Sequence, residues 1–209
     1  MVEEVFGKRK KIMLTGGRSA KILYEKISQD INFIKLMKRS DFYLTDERCV
    51  PLYHPQSNSK MLKESLFNNS FKYIKGMKFL NFRNKKIYNF AKEYESTLPK
   101  KLDLILLSIG DDGHIASLFP RSKGLFEKRK SFVYSISPNS PKKRMTITHK
   151  VIKSAKNIIV LALGEAKKEM YMQALKNPKD FRSIPACLVL NGIWVFDLEK
   201  FNIDLCLKS

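Results

Sequence analysis

Three cysteines in 209 residues, Cys49, Cys187 and Cys206, are too few and too far apart for a disulfide framework or a thiolate metal cluster. Each reads as a small buried apolar side chain, and a reducing cytoplasm is the expected compartment. No His-x-x-x-His or comparable spacing points to a metal. No apolar run approaches a membrane span, and the opening Met-Val-Glu-Glu-Val-Phe-Gly-Lys lacks a signal-peptide core. Acid is scarce as well: 20 Asp and Glu stand against 40 Lys and Arg, a formal net charge of +20. That scarcity makes the crowding of Asp46, Glu47, Asp111 and Asp112 into two short segments informative. The excess base is mostly lysine, scattered from Lys8 to Lys208 with no aromatic–basic stripe. It reads as solvated surface, so neither a nucleic-acid nor a membrane partner is expected.

What is present is an ordinary globular composition, 44% hydrophobic and 29% charged, expected to form one domain over residues 1–209. Short apolar runs alternate with amphipathic stretches, which predicts βα units, a largely parallel sheet and a doubly wound α/β domain. Strands are expected at Lys11–Thr15, Phe42–Thr45, Leu102–Ile109, Asn157–Leu163 and Ile193–Phe196, with shorter ones at Phe79–Phe82 and Phe132–Ile136. Helical spacing covers Ser19–Lys38, Ser57–Phe67, Tyr88–Leu98 and Ala166–Leu175, and Ser137-Pro-Asn-Ser-Pro-Lys-Lys is a loop by composition.

Four strand-end turns carry the chemistry, as ligands in open α/β sheets bind at the carboxyl ends of strands. Thr15-Gly16-Gly17-Arg18-Ser19-Ala20 leads into a helix, where glycine lets backbone N–H groups approach an anion. Its plainer reading is a left-handed turn with Ser19 as helix cap. Thr45-Asp46-Glu47-Arg48 follows a second strand, and Arg48 could grip a phosphate or carboxylate with two N–H groups or close a loop as a surface ion pair. Gly110-Asp111-Asp112-Gly113-His114 ends an apolar, strand-like run; Asp112 is either a helix cap or part of an active site. Gly164-Glu165-Ala166-Lys167 places Lys167 in a helix's first turn, where a cation opposes the macrodipole and so serves something other than helix stability. Arg144 could add a further cation. Together these turns describe a pocket for a small phosphorylated substrate, with one imidazole available for proton transfer.

Thr15-Gly-Gly, Thr45-Asp-Glu-Arg-Cys-Val-Pro, Gly110-Asp-Asp-Gly-His-Ile-Ala-Ser-Leu-Phe-Pro, Arg144-Met-Thr-Ile-Thr and Gly164-Glu-Ala-Lys resemble the 6-phosphogluconolactonases. That family shares its fold with the glucosamine-6-phosphate deaminases, and the resemblance runs from about Lys11 to Asp197. It implies a three-layer α/β/α, Rossmann-like fold and hydrolysis of 6-phospho-D-glucono-1,5-lactone to 6-phospho-D-gluconate, without metal or cofactor. His114 would be the general base, Asp112 or Asp46 would orient the imidazole or the water, and Gly16, Gly17, Arg18, Ser19, Arg48, Arg144 and Lys167 would hold the phosphate. The expected protein is a cytoplasmic monomer whose partner is the phosphosugar lactone.

The sequence departs from the family pattern at Arg18-Ser19-Ala20, where Ser-Thr-Pro is usual, and at Ser108, where glycine is common. The segment before the first strand is short, so the family's usual N-terminal helix is expected to be missing. Two alternatives remain. In deaminases a glutamate follows the Asp-Gly-His, and the matching residue here is Phe119. A non-catalytic anion- or nucleic-acid-binding protein would instead use the net charge directly.

Overall fold

The computed structural model describes residues 9–67, 72–75 and 87–198. In chain order the elements begin β1 (Lys10–Leu14), α1 (Arg18–Ile27), α2 (Ile31–Lys38), β2 (Ser40–Leu44), β3 (Asp46–Arg48), α3 (Asn58–Ser65) and α4 (Ile87–Glu95). They continue with β4 (Leu102–Ser108), β5 (Phe132–Ile136), β6 (Lys143–Ile147), α5 (His149–Ile152), β7 (Ala155–Leu161), α6 (Glu165–Lys176) and β8 (Ile193–Val195).

Five strands form a parallel sheet in the order β2-β1-β4-β7-β8. In β1, Ile12, Met13 and Leu14 are all buried, and in β4 the run Leu104–Leu107 is buried residue after residue. Continuous burial rather than alternation means that both faces of these strands are covered, as a parallel sheet requires. The chain leaves β1 toward β2 on one side and returns to β4 on the other. Right-handed crossovers therefore place α1 and α2 on one face and α6 on the opposite one. The reversal opens a crevice at the carboxyl ends of β1 and β4, where such sheets bind ligands.

The second sheet is antiparallel, β3-β6-β5, and grows from the end of β2. Thr45 joins the two sheets: its N–H donates to Leu14 O at 2.9 Å, and its carbonyl accepts from Ile147 N at 2.8 Å. Tyr94 of α4 fixes the same corner. Its hydroxyl donates to Leu44 O at 3.1 Å and accepts from Leu44 N at 2.7 Å, while its ring packs 4.6 Å from Phe132 of β5. A buried phenol with both functions paired is a strong local clamp.

Most expected elements are present, the short helix α5 is an addition, and three further differences stand out. Ser19–Lys38 is two helices, because Asp30 caps α2 by accepting from Asn32 N and Phe33 N at 2.8 and 2.9 Å. Phe132–Ile136 is a strand, but it lies in the antiparallel sheet. β3 and β6 were not expected at all, and the expected strand at Phe79–Phe82 lies outside the described residues. No described helix is long and apolar enough to cross a membrane.

Candidate active site

β4 delivers the Gly110–His114 turn to the crevice. No helix follows Asp112, so its helix-cap reading is excluded. The carboxylate instead folds back on its own turn, where Asp112 Oδ1 accepts from His114 N at 3.1 Å and makes a very short contact with His114 Nδ1. In the neutral ring, a proton on Nδ1 donated to Asp112 keeps the Nε2 lone pair free; in the protonated ring the same contact is an ion pair. Burial pushes the Asp112 carboxyl up, but the hydrogen bonds and charge of His114 outweigh it, so the group sits below its ordinary range. The imidazole is seated closely. A Cβ on Gly110 would lie 2.1 Å from Nδ1 and Cε1, and the Phe119 ring packs against the imidazole, 4.7 Å between centroids.

The small sheet supplies a polar floor. In the antiparallel register Asp46 faces Thr146 and Arg48 faces Arg144, so these four side chains share one face. Ser117, three residues past His114, lies on that face. Its hydroxyl donates to Asp46 Oδ2 at 2.7 Å and its N–H to Thr146 Oγ1 at 3.1 Å. Asp46 therefore holds the loop that carries the imidazole, whereas Asp112 holds the imidazole itself.

Arg48 and Arg144 are an unusual pair, since like charges directly opposed in a ladder repel. Arg48 gives one guanidinium N–H to Gln56 O at 2.7 Å. Yet Arg48 Nε and Arg144 Nε and Nη1 are buried without a hydrogen-bond partner among the described residues. Burial, reinforced by Arg48, pushes the Arg144 guanidinium below its ordinary range, against the pull of Asp46 and Glu47. Buried donors of this kind call for an acceptor, and an oxyanion supplies several.

The remaining two turns meet across the crevice. Gly17 takes φ 96° as the cap of α1, a left-handed conformation open to glycine, and it, not Ser19, is the cap residue. Ser19 is buried and accepts from Lys167 Nζ at 2.7 Å, which joins the first turn to the fourth. Burial lowers the Lys167 pKa; Asp111 acts against this and Arg18 with it, so all three charges lie within electrostatic reach. Gly16 is covered by Asn58: a Cβ there would lie 2.0 Å from Asn58 Oδ1. Asn58 Nδ2 in turn donates to Asp46 O at 3.0 Å. One chain of contacts thus links every turn singled out in the sequence.

Glu47, noted in the sequence only as one of four crowded acids, is the important residue to which sequence reasoning gave no role. Its side chain is buried and accepts five hydrogen bonds: from Arg48 N and Asn58 N at 2.7 Å each, Ser57 Oγ at 3.2 Å, Ser59 N at 2.8 Å and Ser59 Oγ at 2.5 Å. It anchors the start of α3 and so places Asn58 over Gly16. Burial nonetheless raises its pKa against those bonds. The available signal was the polar run Ser57-Asn58-Ser59 at a helix start, which calls for an acceptor. Among the described residues no group of three or more His, Cys, Asp and Glu is arranged to hold a metal ion.

Residues 3–195 match the family described as glucosamine-6-phosphate isomerases/6-phosphogluconolactonase. The chain belongs to this family. It is 34% identical over 188 residues to the 6-phosphogluconolactonase of Borreliella burgdorferi, covering 85% of this chain and 78% of the relative. It is also 34% identical over 184 residues to 6-phosphogluconolactonase 4 of Saccharomyces cerevisiae, covering 78% and 71%. The crystal structure of 6-phosphogluconolactonase from Thermotoga maritima superposes with a TM-score of 0.74 at 25% identity, over 90% of this chain and 85% of that one. A monomeric glucosamine-6-phosphate deaminase matches with a TM-score of 0.73 at 20% identity, a likeness of fold. The family's two activities therefore share this scaffold, and the side chains at the crevice must separate them.

Proposed function

We propose that this protein hydrolyses 6-phospho-D-glucono-1,5-lactone to 6-phospho-D-gluconate, the lactonase step of the oxidative pentose phosphate pathway. The observation that carries the reading is the Asp112–His114 contact just past the carboxyl end of β4, which suits a neutral imidazole that donates from Nδ1 and uses Nε2 as the base. A water hydrogen-bonded to Nε2 attacks C1 of the lactone as its proton passes to the imidazole. The tetrahedral oxyanion is met by backbone N–H groups of the 110–114 turn. Collapse breaks the C1–O5 bond, and the imidazolium returns its proton to O5, which leaves a carboxylic acid that ionises. Asp112 stabilises the imidazolium between these two transfers.

The phosphate supplies remote binding energy that positions C1. Arg48 and Arg144 hold it with their unpaired N–H groups, and Arg18, Lys167 and the Gly16–Ser19 turn complete the anion site. Phe119 favours lactone opening over deamination, because its ring on His114 puts an apolar wall where the deaminases have a carboxylate. The free thiols of Cys49 and Cys187 suit a reducing compartment such as the cytoplasm.

The test is ring opening of freshly generated lactone, followed against its spontaneous rate for wild type and His114→Ala. Wild type accelerates opening and the variant loses most of the acceleration. Equal acceleration by both removes His114 from the mechanism. Ammonia release from glucosamine 6-phosphate without lactone hydrolysis assigns the protein to the other activity.

A further inference from the structure

Seven of the lysines scattered along the sequence come together in the fold. At the amino ends of the parallel strands, opposite the active site, lies an open groove of about 1690 Å³. Nine of its fifteen lining residues are Lys or Arg and one, Asp103, is an acid, against 40 cations in 209 residues overall. Asp103 is already engaged, accepting from Lys11 N at 2.8 Å, and Asp41 is shared between Arg9 and Lys75 at 3.0 and 3.4 Å. Among the described residues, Lys10, Lys11, Lys35, Lys101, Lys153 and Lys156 have no carboxylate partner.

Helix-end compensation accounts for Lys35 in the last turn of α2 and for Lys153 after α5. It does not account for Lys10 and Lys11 of β1, Lys101 before β4 or Lys156 of β7, which belong to strand starts. Uncompensated like charges around one concavity repel one another and raise the local positive potential. The apolar lining is Leu36, Leu102 and Ala155, with no aromatic ring on which a base could stack. The groove therefore offers charge to a backbone of phosphates and no stacking platform to bases.

We infer that this groove binds the phosphodiester backbone of single-stranded nucleic acid, without sequence preference, at a site separate from the active site. The seven residues of β4 alone put about 20 Å between the two ends. The inference does not depend on the lactonase reading, since the groove and the crevice share no residue.

The probe is fluorescently labelled 20-mer oligo(rU) and oligo(rA), followed by anisotropy from 50 to 200 mM salt. Six neutralised phosphates give a log–log salt slope of about −4 and an affinity loss of about 10²-fold over that range. The two oligomers bind within about threefold of each other, as backbone recognition requires. Lys35→Glu/Lys101→Glu/Lys156→Glu weakens binding at least tenfold at low salt and makes the slope shallower by about two. A control with the same change in net charge, Lys128→Glu/Lys176→Glu/Lys179→Glu, alters exposed residues elsewhere and stays near wild type. Both variants keep the wild-type circular dichroism spectrum and lactone-opening rate. Absence of binding at 50 mM salt, or an equal loss in the control variant, overturns the inference.

Discussion

Asp112 offers a sharp test because both of its hydrogen bonds fall on one oxygen. Oδ1 faces His114 N at 3.1 Å and His114 Nδ1 more closely still. An asparagine can put its amide oxygen in that place and accept both bonds, so Asp112→Asn keeps the proton on Nδ1 and keeps Nε2 available as the proposed base. What it loses is the negative charge beside the imidazolium. A hydrogen bond to a charged group contributes about 1.5–3 kcal/mol and a neutral one about 0.5–1.5, so the charge is worth about 1–1.5 kcal/mol and its loss about tenfold in kcat/KM. Asp112→Ala also loses the tautomer and the aim of the ring, and with them much of a general-base contribution of about 10²–10⁴. The comparison holds across neutral pH. The Asp112 pKa is lowered on folding, so its contribution is present above the ordinary 3.8 and fades only as pH falls through the lower folded-state value. Initial rates on fresh lactone, less the spontaneous rate, with circular dichroism as a check on folding, decide the matter. An Asp112→Asn variant as impaired as Asp112→Ala refutes the single-oxygen argument. An Asp112→Ala variant within twofold of wild type refutes the positioning role altogether.

Other perturbations separate binding, seating and stability. Arg144→Met removes buried N–H groups that have no partner, so thermal stability holds or rises, while KM for the lactone increases about 10- to 150-fold through loss of a charge-assisted bond; a wild-type KM places the phosphate elsewhere. Gly110→Ala drives a methyl into the His114 ring, 2.1 Å away, and cuts kcat by 100-fold or more for an overpacking cost of about 1–3 kcal/mol; unchanged kcat shows that the ring is not held there. Glu47→Gln turns an amide toward donors that need an acceptor, costing about 1–3 kcal/mol or about 2–12 °C in thermal midpoint at neutral pH. Burial raises the Glu47 pKa on folding, so the wild-type advantage from this group declines as pH rises from 4.5 through the folded-state value. The deficit of the glutamine variant is therefore larger at pH 5 than at pH 8, and a flat difference in unfolding free energy refutes the assignment.

The parallel sheet was legible because its strands are buried on both faces. A run such as Leu104–Leu107 needs no knowledge of its neighbours to be read as a strand. The antiparallel sheet was not legible, because β3 is three residues, Asp46–Arg48, all charged, and β6 begins Lys143-Arg144. Local composition assigns such residues to loops. They are strands because Thr45 continues directly from the parallel sheet and because β5, which shows a strand pattern, offers β6 a partner. The single helix expected over Ser19–Lys38 failed differently: apolar periodicity runs through the break, and Asp30, an ordinary capping residue, was outvoted by it.

The site shows the same division at the level of side chains. Turns that owe their chemistry to residue type and glycine spacing could be singled out, and the fold brings them to one crevice. Which acid does what could not be read, since Asp46, Glu47, Asp111 and Asp112 are equivalent as letters and differ only in what faces them. Asp112 meets an imidazole two residues away, Asp46 meets a hydroxyl 71 residues away, and Glu47 meets the start of α3. Asp111 is left to act on Lys167 through space. Four carboxylates in a strongly basic chain thus perform four separate tasks, and only the shortest-range of them was within reach of sequence spacing. The lysines carry the converse lesson. Dispersed along the chain they read as solvated surface, and only when the amino ends of β1, β4 and β7 are aligned in register do seven of them share one groove. A like-charge cluster costs the fold some electrostatic repulsion. A chain of phosphates in that groove would relieve it, as a substrate phosphate would relieve the Arg48–Arg144 pair of the antiparallel sheet.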